Sequence, residues 1–385
     1  MKRIQFSLII LLCLIFALGG FLHFNGRLNR GVIQSNALGG ECMITVEAST
    51  GRILYGHNYN KKRPMASVTK ILTAIAVIEN FAENGRDLNA KIKVPAAAVG
   101  IEGSSIYLAA EEEISTLDLL YGLMLQSGND CAVALAVVTS GSIDGFSALM
   151  NKTALRAGAK NSNFTNPHGL HQDKHYTTAY DLAMITAYAM KNPLFKEIAA
   201  TKRREIERTR KESVHVIINK NKLLSTFDGS DGVKTGFTKK AGRCLVASAT
   251  RDGMQVIAVV LNCGPMFEDC ATLMNKAFRE YRMEKIAVAF KPLAEVNIAN
   301  GRKNTVHVGV VKDIYYPLAA GELEKIELEA KPLAALSAPV RKGKQAGAVD
   351  FRLNKQLLLS EKLYTIEDAP ALKIDDYLKK ILIDW

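Results

Sequence analysis

Apolar and polar positions divide the chain into stretches of different texture. At the start, Lys2 and Arg3 precede an apolar run over residues 6–22. Charge followed by an unbroken apolar stretch is the layout of a secretory leader. Small residues at Ser35-Asn36-Ala37 offer a cleavage site, and retention as an N-terminal anchor is the alternative. Either outcome places the bulk of the chain outside the cytoplasm. Beyond the leader, residues 43–47 alternate as a strand, Ala48-Ser49-Thr50-Gly51 is turn chemistry, and residues 52–55 read as the returning strand. Residues 67–80 follow a helical period with apolar side chains on most faces, which predicts a buried helix. A second helix is expected over 117–126. Ser127-Gly128-Asn129-Asp130 interrupts it before the Ala/Val-rich stretch 131–138. Residues 144–157 predict a third helix stopped by Gly158, and 178–190 another, with a loop over 164–175 between them. Residues 233–237, 243–250 and 254–261 predict strands, with Arg251-Asp252-Gly253 as a tight hairpin, and 267–281 an amphipathic helix. Strands at both ends of the region, with helices between them, predict an α/β domain with an antiparallel sheet.

From about residue 288 the texture changes. Strand-like runs at 295–298, 305–311, 325–330 and 348–353 are separated by turn signals such as Asn300-Gly301 and Lys342-Gly343-Lys344, which predicts a small β-rich second domain. Over residues 374–385, Tyr377, Leu378, Ile381, Leu382 and Trp385 form a stripe beside charged residues. Such a helix rests on a membrane surface or packs on its own domain. The expected organisation is a leader over 1–37, an α/β domain over 38–283, a β-rich domain over 284–370 and an amphipathic C-terminal helix over 371–385.

Composition narrows the function classes. The 385 residues are 48% hydrophobic and 23% charged, values of a globular protein rather than a disordered, collagen-like or polytopic membrane chain. Fifty Lys and Arg against 38 Asp and Glu give a net charge of +12, which suits a polyanion such as nucleic acid, anionic lipid or an acidic cell wall. No zinc finger, RNP-type signature or P-loop supports nucleic acid. Residues 202–211 are mostly basic and read as a solvated loop edge, or as a patch facing wall or lipid. Of six cysteines, Cys13 lies in the leader, and no pair has C-x-x-C spacing. Cys131 and Cys244 sit in apolar runs and read as core residues, while pairing of Cys263 with Cys270 is open.

Candidate chemistry begins with Ser67-Val68-Thr69-Lys70. A serine hydroxyl needs a base to act as a nucleophile. Residues three apart share a helix face, so Lys70 can reach the Ser67 hydroxyl. Lysine ordinarily titrates near ~10.4 and is then protonated. Burial, the helix N-terminus and a second lysine nearby would lower that value and leave a neutral amine. Ser127-Gly128-Asn129 offers a proton relay and an amide to bind a substrate, although these are also ordinary turn residues. Lys234-Thr235-Gly236, on a strand, offers a cation and a hydroxyl to a carboxylate, and Gly236 lets a ligand backbone approach closely. Each motif occurs once, in the order Ser67, Ser127, Lys234, in a helix start, an interhelical loop and a strand.

With these residues in place, the sequence resembles the low-molecular-mass penicillin-binding proteins that act as serine D-alanyl-D-alanine carboxypeptidases. The likeness runs from about Met43 to the end, β-rich tail included. It extends to Glu47-Ala48-Ser49-Thr50-Gly51, Asn166-Pro167-His168-Gly169-Leu170, residues 175–183 (HYTTAYDLA) and residues 231–238 (DGVKTGFT). The resemblance implies a DD-peptidase-like domain, an antiparallel sheet flanked by helices with a helical subdomain, followed by the β-rich domain. It implies that Ser67 is acylated, that Lys70 accepts its proton and that Ser127 assists transfer to the leaving D-alanine. Asn129 would hold the substrate amide, Lys234 and Thr235 the terminal carboxylate, beside Gly236. The N–H groups of Ser67 and Phe237 would form the oxyanion hole. Some relatives carry histidine where Phe237 stands, which removes a side-chain donor but keeps the backbone one. The implied partners are peptidoglycan pentapeptides ending in D-Ala-D-Ala, β-lactams as covalent inhibitors and a membrane surface, with no nucleic acid and no metal or organic cofactor.

Rival readings make distinct demands. A class A β-lactamase needs a carboxylate between the second and third motifs to drive deacylation. Residues 131–196 contain no Glu and only Asp144, Asp173 and Asp181, of which Asp144 and Asp181 fall at helix starts, as capping residues do. A long-lived penicilloyl enzyme is therefore expected. A metalloenzyme would use His168, His171, Asp173 and His175, which cluster without a His-Glu-x-x-His helix. A non-catalytic wall-binding protein would need no intact motif at all.

Overall fold

The computed structural model describes residues 38–210 and 214–376. The leader and residues 377–385 of the C-terminal stripe lie outside the described residues. Strands β1 (Gly40–Glu47) and β2 (Ile53–His57) form an antiparallel hairpin with Met43 opposite His57. Its turn is tied by the buried Glu47 carboxylate, which accepts from the N–H groups of Ser49 at 3.0 Å and Thr50 at 2.8 Å. A 3-10 turn at Ala66–Thr69 then leads into α1 (Lys70–Glu83), whose apolar faces are buried from Ile71 to Ile78. A short ribbon of β3 (Lys91–Lys93) and β4 (Glu113–Ser115) precedes α2 (Thr116–Leu125), α3 (Asn129–Ser140), α4 (Ile143–Arg156) and α5 (Ala179–Ala189). Ser115, Ser142 and Thr178 cap α2, α4 and α5. Asp144 and Asp181 thus occupy first turns rather than caps, where they face the positive helix ends.

Helix α6 (Pro193–Ala200), capped by Asn192 with Pro193 in its first turn, has no counterpart in the sequence pattern. It leads to a ribbon of β5 (Arg203–Glu205) and β6 (Val216–Ile218), the turn α7 (Leu223–Thr226), and strands β7 (Ser230–Thr238), β8 (Gly242–Arg251) and β9 (Met254–Cys263). The sheet order is β2-β1-β9-β8-β7, antiparallel throughout, with Ile44 of β1 opposite Val259 of β9. Strands from the two ends of the region therefore meet at its centre, and β7, which carries Lys234-Thr235-Gly236, is an edge. Helix α8 (Met266–Glu280) packs on β8 and β9.

Strand β10 (Tyr281–Ala287) follows α8 directly and crosses the expected boundary at residue 283. It pairs with β13 (Ile314–Ala319). The six-stranded sheet of this region has the order β14-β16-β17-β12-β11-β15. Its strands are β11 (Ala294–Ala299), β12 (Thr305–Gly309), β14 (Ile326–Pro332), β15 (Ala335–Ser337), β16 (Gln345–Leu353) and β17 (Gln356–Thr365). A separate apolar cluster, including Val296, Val308 and Phe351, fills it. Arg52 joins the two regions. Its guanidinium binds Glu322 at 2.8 and 2.9 Å, donates to the Pro317 carbonyl, and lies 5.1 Å from the Tyr281 ring and 5.6 Å from that of Tyr316.

The basic stretch 202–211 is not uniformly solvated. Arg208 is buried against Glu112, and Arg204 lies 4.5 Å over the Tyr121 ring. Cys42, Cys131, Cys244, Cys263 and Cys270 are free and buried. Among the described residues no single helix is long and apolar enough to cross a membrane.

Candidate active site

Ser67 sits inside the 3-10 turn rather than on the α-helix, and Lys70 is the first residue of α1. The turn is held from three sides. Ala66 has φ 52, a left-handed conformation costly for a residue with a Cβ. Thr69 Oγ1 donates to the Ala66 carbonyl at 2.8 Å and lies 3.0 Å from His175 Nε2. His175 Nδ1 accepts from the Thr165 N–H at 3.0 Å, so Nε2 carries the proton and donates to Thr69. Burial lowers the His175 pKa to about 3, which keeps that ring neutral. Gly169, at φ +89, presses on the turn: a Cβ there would stand 2.0 Å from the Ala66 carbonyl oxygen.

Lys70 Nζ lies 2.9 Å from Ser67 Oγ, 2.7 Å from Asn129 Oδ1 and 2.8 Å from the His168 carbonyl oxygen. Burial pushes the Lys70 pKa well down, and the Lys234 charge adds to this. A neutral amine has two hydrogens and one lone pair. Asn129 Oδ1 and the His168 carbonyl can only accept, so they take the hydrogens and the lone pair faces Ser67. Such an amine is oriented to receive the serine proton.

Ser127 and Asn129 flank the break between α2 and α3. Ser127 is buried at φ 63, and Asn129 begins α3. The Asn129 amide is set by its other end, where Nδ2 donates to the Glu102 carbonyl at 2.5 Å. Lys234 is buried on β7, with Nζ donating to the Thr235 carbonyl at 3.1 Å. Burial, then the charge of Lys220, lowers the Lys234 pKa to about 7. The structure thus bonds Ser67, Lys70 and Asn129 directly and brings Lys234 within electrostatic reach of Lys70. Phe237, 64% exposed, stands on the open edge.

Gly236 differs from expectation in what it admits. A Cβ at this position would lie 3.0 Å from the amide nitrogens of Ser67 and Val68. The backbone that approaches it belongs to the protein's own turn at Ala66–Thr69, which lies alongside β7.

Sequence reasoning missed the His168 carbonyl, the segment 102–108 and Lys220. Lys220 donates its N–H to the Leu125 carbonyl at 3.3 Å and Nζ to Ser104 Oγ at 3.2 Å, placing a third amine near Lys70 and Lys234. One more lysine in a polar loop carries no pattern, and a carbonyl has no residue-type signature. The histidines of the metal reading have other partners. His175 is taken up by Thr69 and Thr165, His168 Nδ1 accepts from Leu170, and His171 pairs with Asp173 at 3.5 Å. Among the described residues no metal-sized group of three His, Cys, Asp or Glu forms. Asp144 and Asp173 are exposed, and Asp181 binds the Asn161 N–H and the Ser162 hydroxyl.

The fold is that of the penicillin-binding class of peptidases, and comparison with known proteins agrees. Residues 32–264 match the D-alanyl-D-alanine carboxypeptidase family, and residues 281–371 match the penicillin-binding protein 5 C-terminal domain. The D-alanyl-D-alanine carboxypeptidase DacF of Bacillus subtilis is 29% identical over 390 residues, covering 100% of this chain and 99% of its own. DacA of Escherichia coli is 31% identical over 375 residues, covering 92% of this chain and 90% of its own. The structure of penicillin binding protein 5 from Haemophilus influenzae matches with a TM-score of 0.74 at 28% identity, over 88% of this chain and 99% of that one. The chain belongs to the D-alanyl-D-alanine carboxypeptidase family and is a peptidase.

Proposed function

We propose that the protein removes the terminal D-alanine from peptidoglycan pentapeptides through an acyl-enzyme on Ser67. The observation that carries this reading is the buried Lys70 amine 2.9 Å from Ser67 Oγ, with two pure acceptors as its other neighbours. Ser67 Oγ attacks the carbonyl carbon of the penultimate D-alanine as its proton passes to Lys70. The N–H groups of Ser67 and Phe237 hold the resulting oxyanion. The carbon–nitrogen bond then breaks, with Ser127 relaying the Lys70 proton to the leaving amine. Water attacks the ester carbon, Lys70 takes its proton, the carbon–oxygen bond to Ser67 breaks as Lys70 returns that proton to Ser67 Oγ, and the shortened peptide is released.

Asn129 holds the substrate amide, while Lys234 and Thr235 grip the terminal carboxylate, which confines cleavage to a chain end. Gly236, in contact with the Ser67 amide, supports the pairing of strand edge and nucleophile. β-Lactams acylate the same serine. The leader pattern, the C-terminal stripe and the net charge of +12 support secretion, attachment to the outer face of the cytoplasmic membrane and a role in cell-wall biogenesis and remodelling. The test is D-alanine release from a pentapeptide ending in D-Ala-D-Ala. One D-alanine per peptide is expected, and Ser67→Ala lowers the rate about 10³-fold or more. Undiminished release by Ser67→Ala would overturn the reading.

A further inference from the structure

One buried ion pair near the site has no part in that chemistry. Arg208 and Glu112 have side chains 0% and 2% exposed, with Nε to Oε1 at 2.6 Å and Nη2 to Oε2 at 2.8 Å. The remaining guanidinium hydrogens go to backbone: Nη1 donates to the carbonyls of Ile106 at 2.8 Å and Val214 at 3.3 Å, and Nη2 to that of Tyr107 at 3.1 Å. A guanidinium has five N–H donors, and every one is used. A buried pair of this kind contributes little net stability compared with well-packed apolar side chains. What it holds is therefore more informative than what it stabilises.

Two of its carbonyls belong to segment 102–108, whose amides are gripped from the other side. Asp130 Oδ2 accepts from the N–H groups of Ile106 at 3.0 Å and Leu108 at 3.1 Å, and from Ser105 Oγ at 2.5 Å. The segment lies between a buried cation that takes its carbonyls and a buried carboxylate that takes its amides. Tyr107, within it, has φ 60 and a side chain left 74% exposed, so its own packing does not hold the turn. The segment's other groups reach the site. Glu102 and Ser104 offer their carbonyls to Asn129 Nδ2 and N at 2.5 and 2.7 Å, and Ser104 Oγ meets Lys220.

We infer that Arg208 is a positioning residue for the reaction, holding residues 102–108 in the shape that aims Asn129 at Lys70. The inference rests on the reading of Ser67 as nucleophile. Arg208→Met combined with Glu112→Leu removes both charges at once and leaves no unpaired buried ion. The carbonyls of Ile106, Tyr107 and Val214 and the Ala109 N–H lose their partners, so the variant is expected to fold with a lowered unfolding midpoint. The rate at which fluorescent penicillin acylates Ser67 is expected to fall about 10- to 100-fold, as a displaced reacting group would cause, with the final labelled fraction unchanged. Arg208→Lys, with three donors for five, recovers only part of the rate. A double variant that folds and labels at the wild-type rate would reduce the pair to scaffolding. Should that variant not fold, Arg208→Lys serves alone: it keeps a cation beside Glu112 but has too few donors for the carbonyls of Ile106, Tyr107 and Val214, and a wild-type labelling rate in that variant overturns the inference. A wild type unlabelled at Ser67 removes the underlying reading instead.

Discussion

At the scale of single residues, the proposed reaction gives two buried, neighbouring amines different tasks. Lys70 must be neutral to take a proton, and Lys234 charged to bind a carboxylate. Each charge disfavours the other. With the Lys234 pKa near 7 in the free protein, the pH profile of penicillin acylation is expected to have an alkaline limb well below the ordinary lysine value of ~10.4. Lys234→Gln removes that limb. It also removes a like charge from Lys70, whose pKa rises, so the acid limb moves to higher pH while the rate falls. An acid limb unmoved in this variant would show that the two amines do not interact. The Ser67–Lys70 pair was legible because a three-residue spacing places both on one helical face. The tautomer of His175 and the His168 carbonyl were not, since both depend on a loop brought in from residues 164–175.

Elements carry these residues together, and here the sequence was readable where a period was long. Helix α1 showed itself by helical repetition, and strands β7, β8 and β9 by short runs bounded by turn residues such as Arg251-Asp252-Gly253. Helix α6 and the ribbon of β5 with β6 did not, because Pro193–Ala200 and three-residue strands are too short for a period to show and owe their form to packing. The motif Asn166-Pro167-His168-Gly169 was visible, but its contact with the Ala66 carbonyl was not. Gly169→Ala is expected to lose about 2–4 kcal/mol in denaturant unfolding, from the left-handed backbone and the clash together. Penicillin labelling should fall further than the folded fraction. The same loop presents a carbonyl rather than a carboxylate to Lys70. The benzylpenicillin adduct is accordingly expected to persist for many minutes, followed by mass over time. Rapid regeneration of free protein would point to a carboxylate base acting in addition to Lys70.

For the whole molecule, Arg52 is the hinge pin between the α/β region and the β-rich region. Its side chain is 15% exposed and that of Glu322 22%, so the pair is only partly screened by water. Arg52→Ala is expected to lose about 2 kcal/mol of stability, from the charge-assisted bonds and the two tyrosine contacts. The rate of Ser67 labelling should not change, because the pin lies outside the site. Altered labelling kinetics at full folding would mean that the β-rich region reaches the cleft. That such a region existed was evident from the change of texture near residue 288. How it docks was not, since an arginine in a hairpin and a glutamate far along the chain share no local pattern. Whether Ser67 is the acylated group is read by digesting the penicillin-treated protein and weighing its peptides. The account expects the adduct on the peptide containing Ser67, once per chain and absent from Ser67→Ala. An adduct on another serine, or none at all, would contradict it.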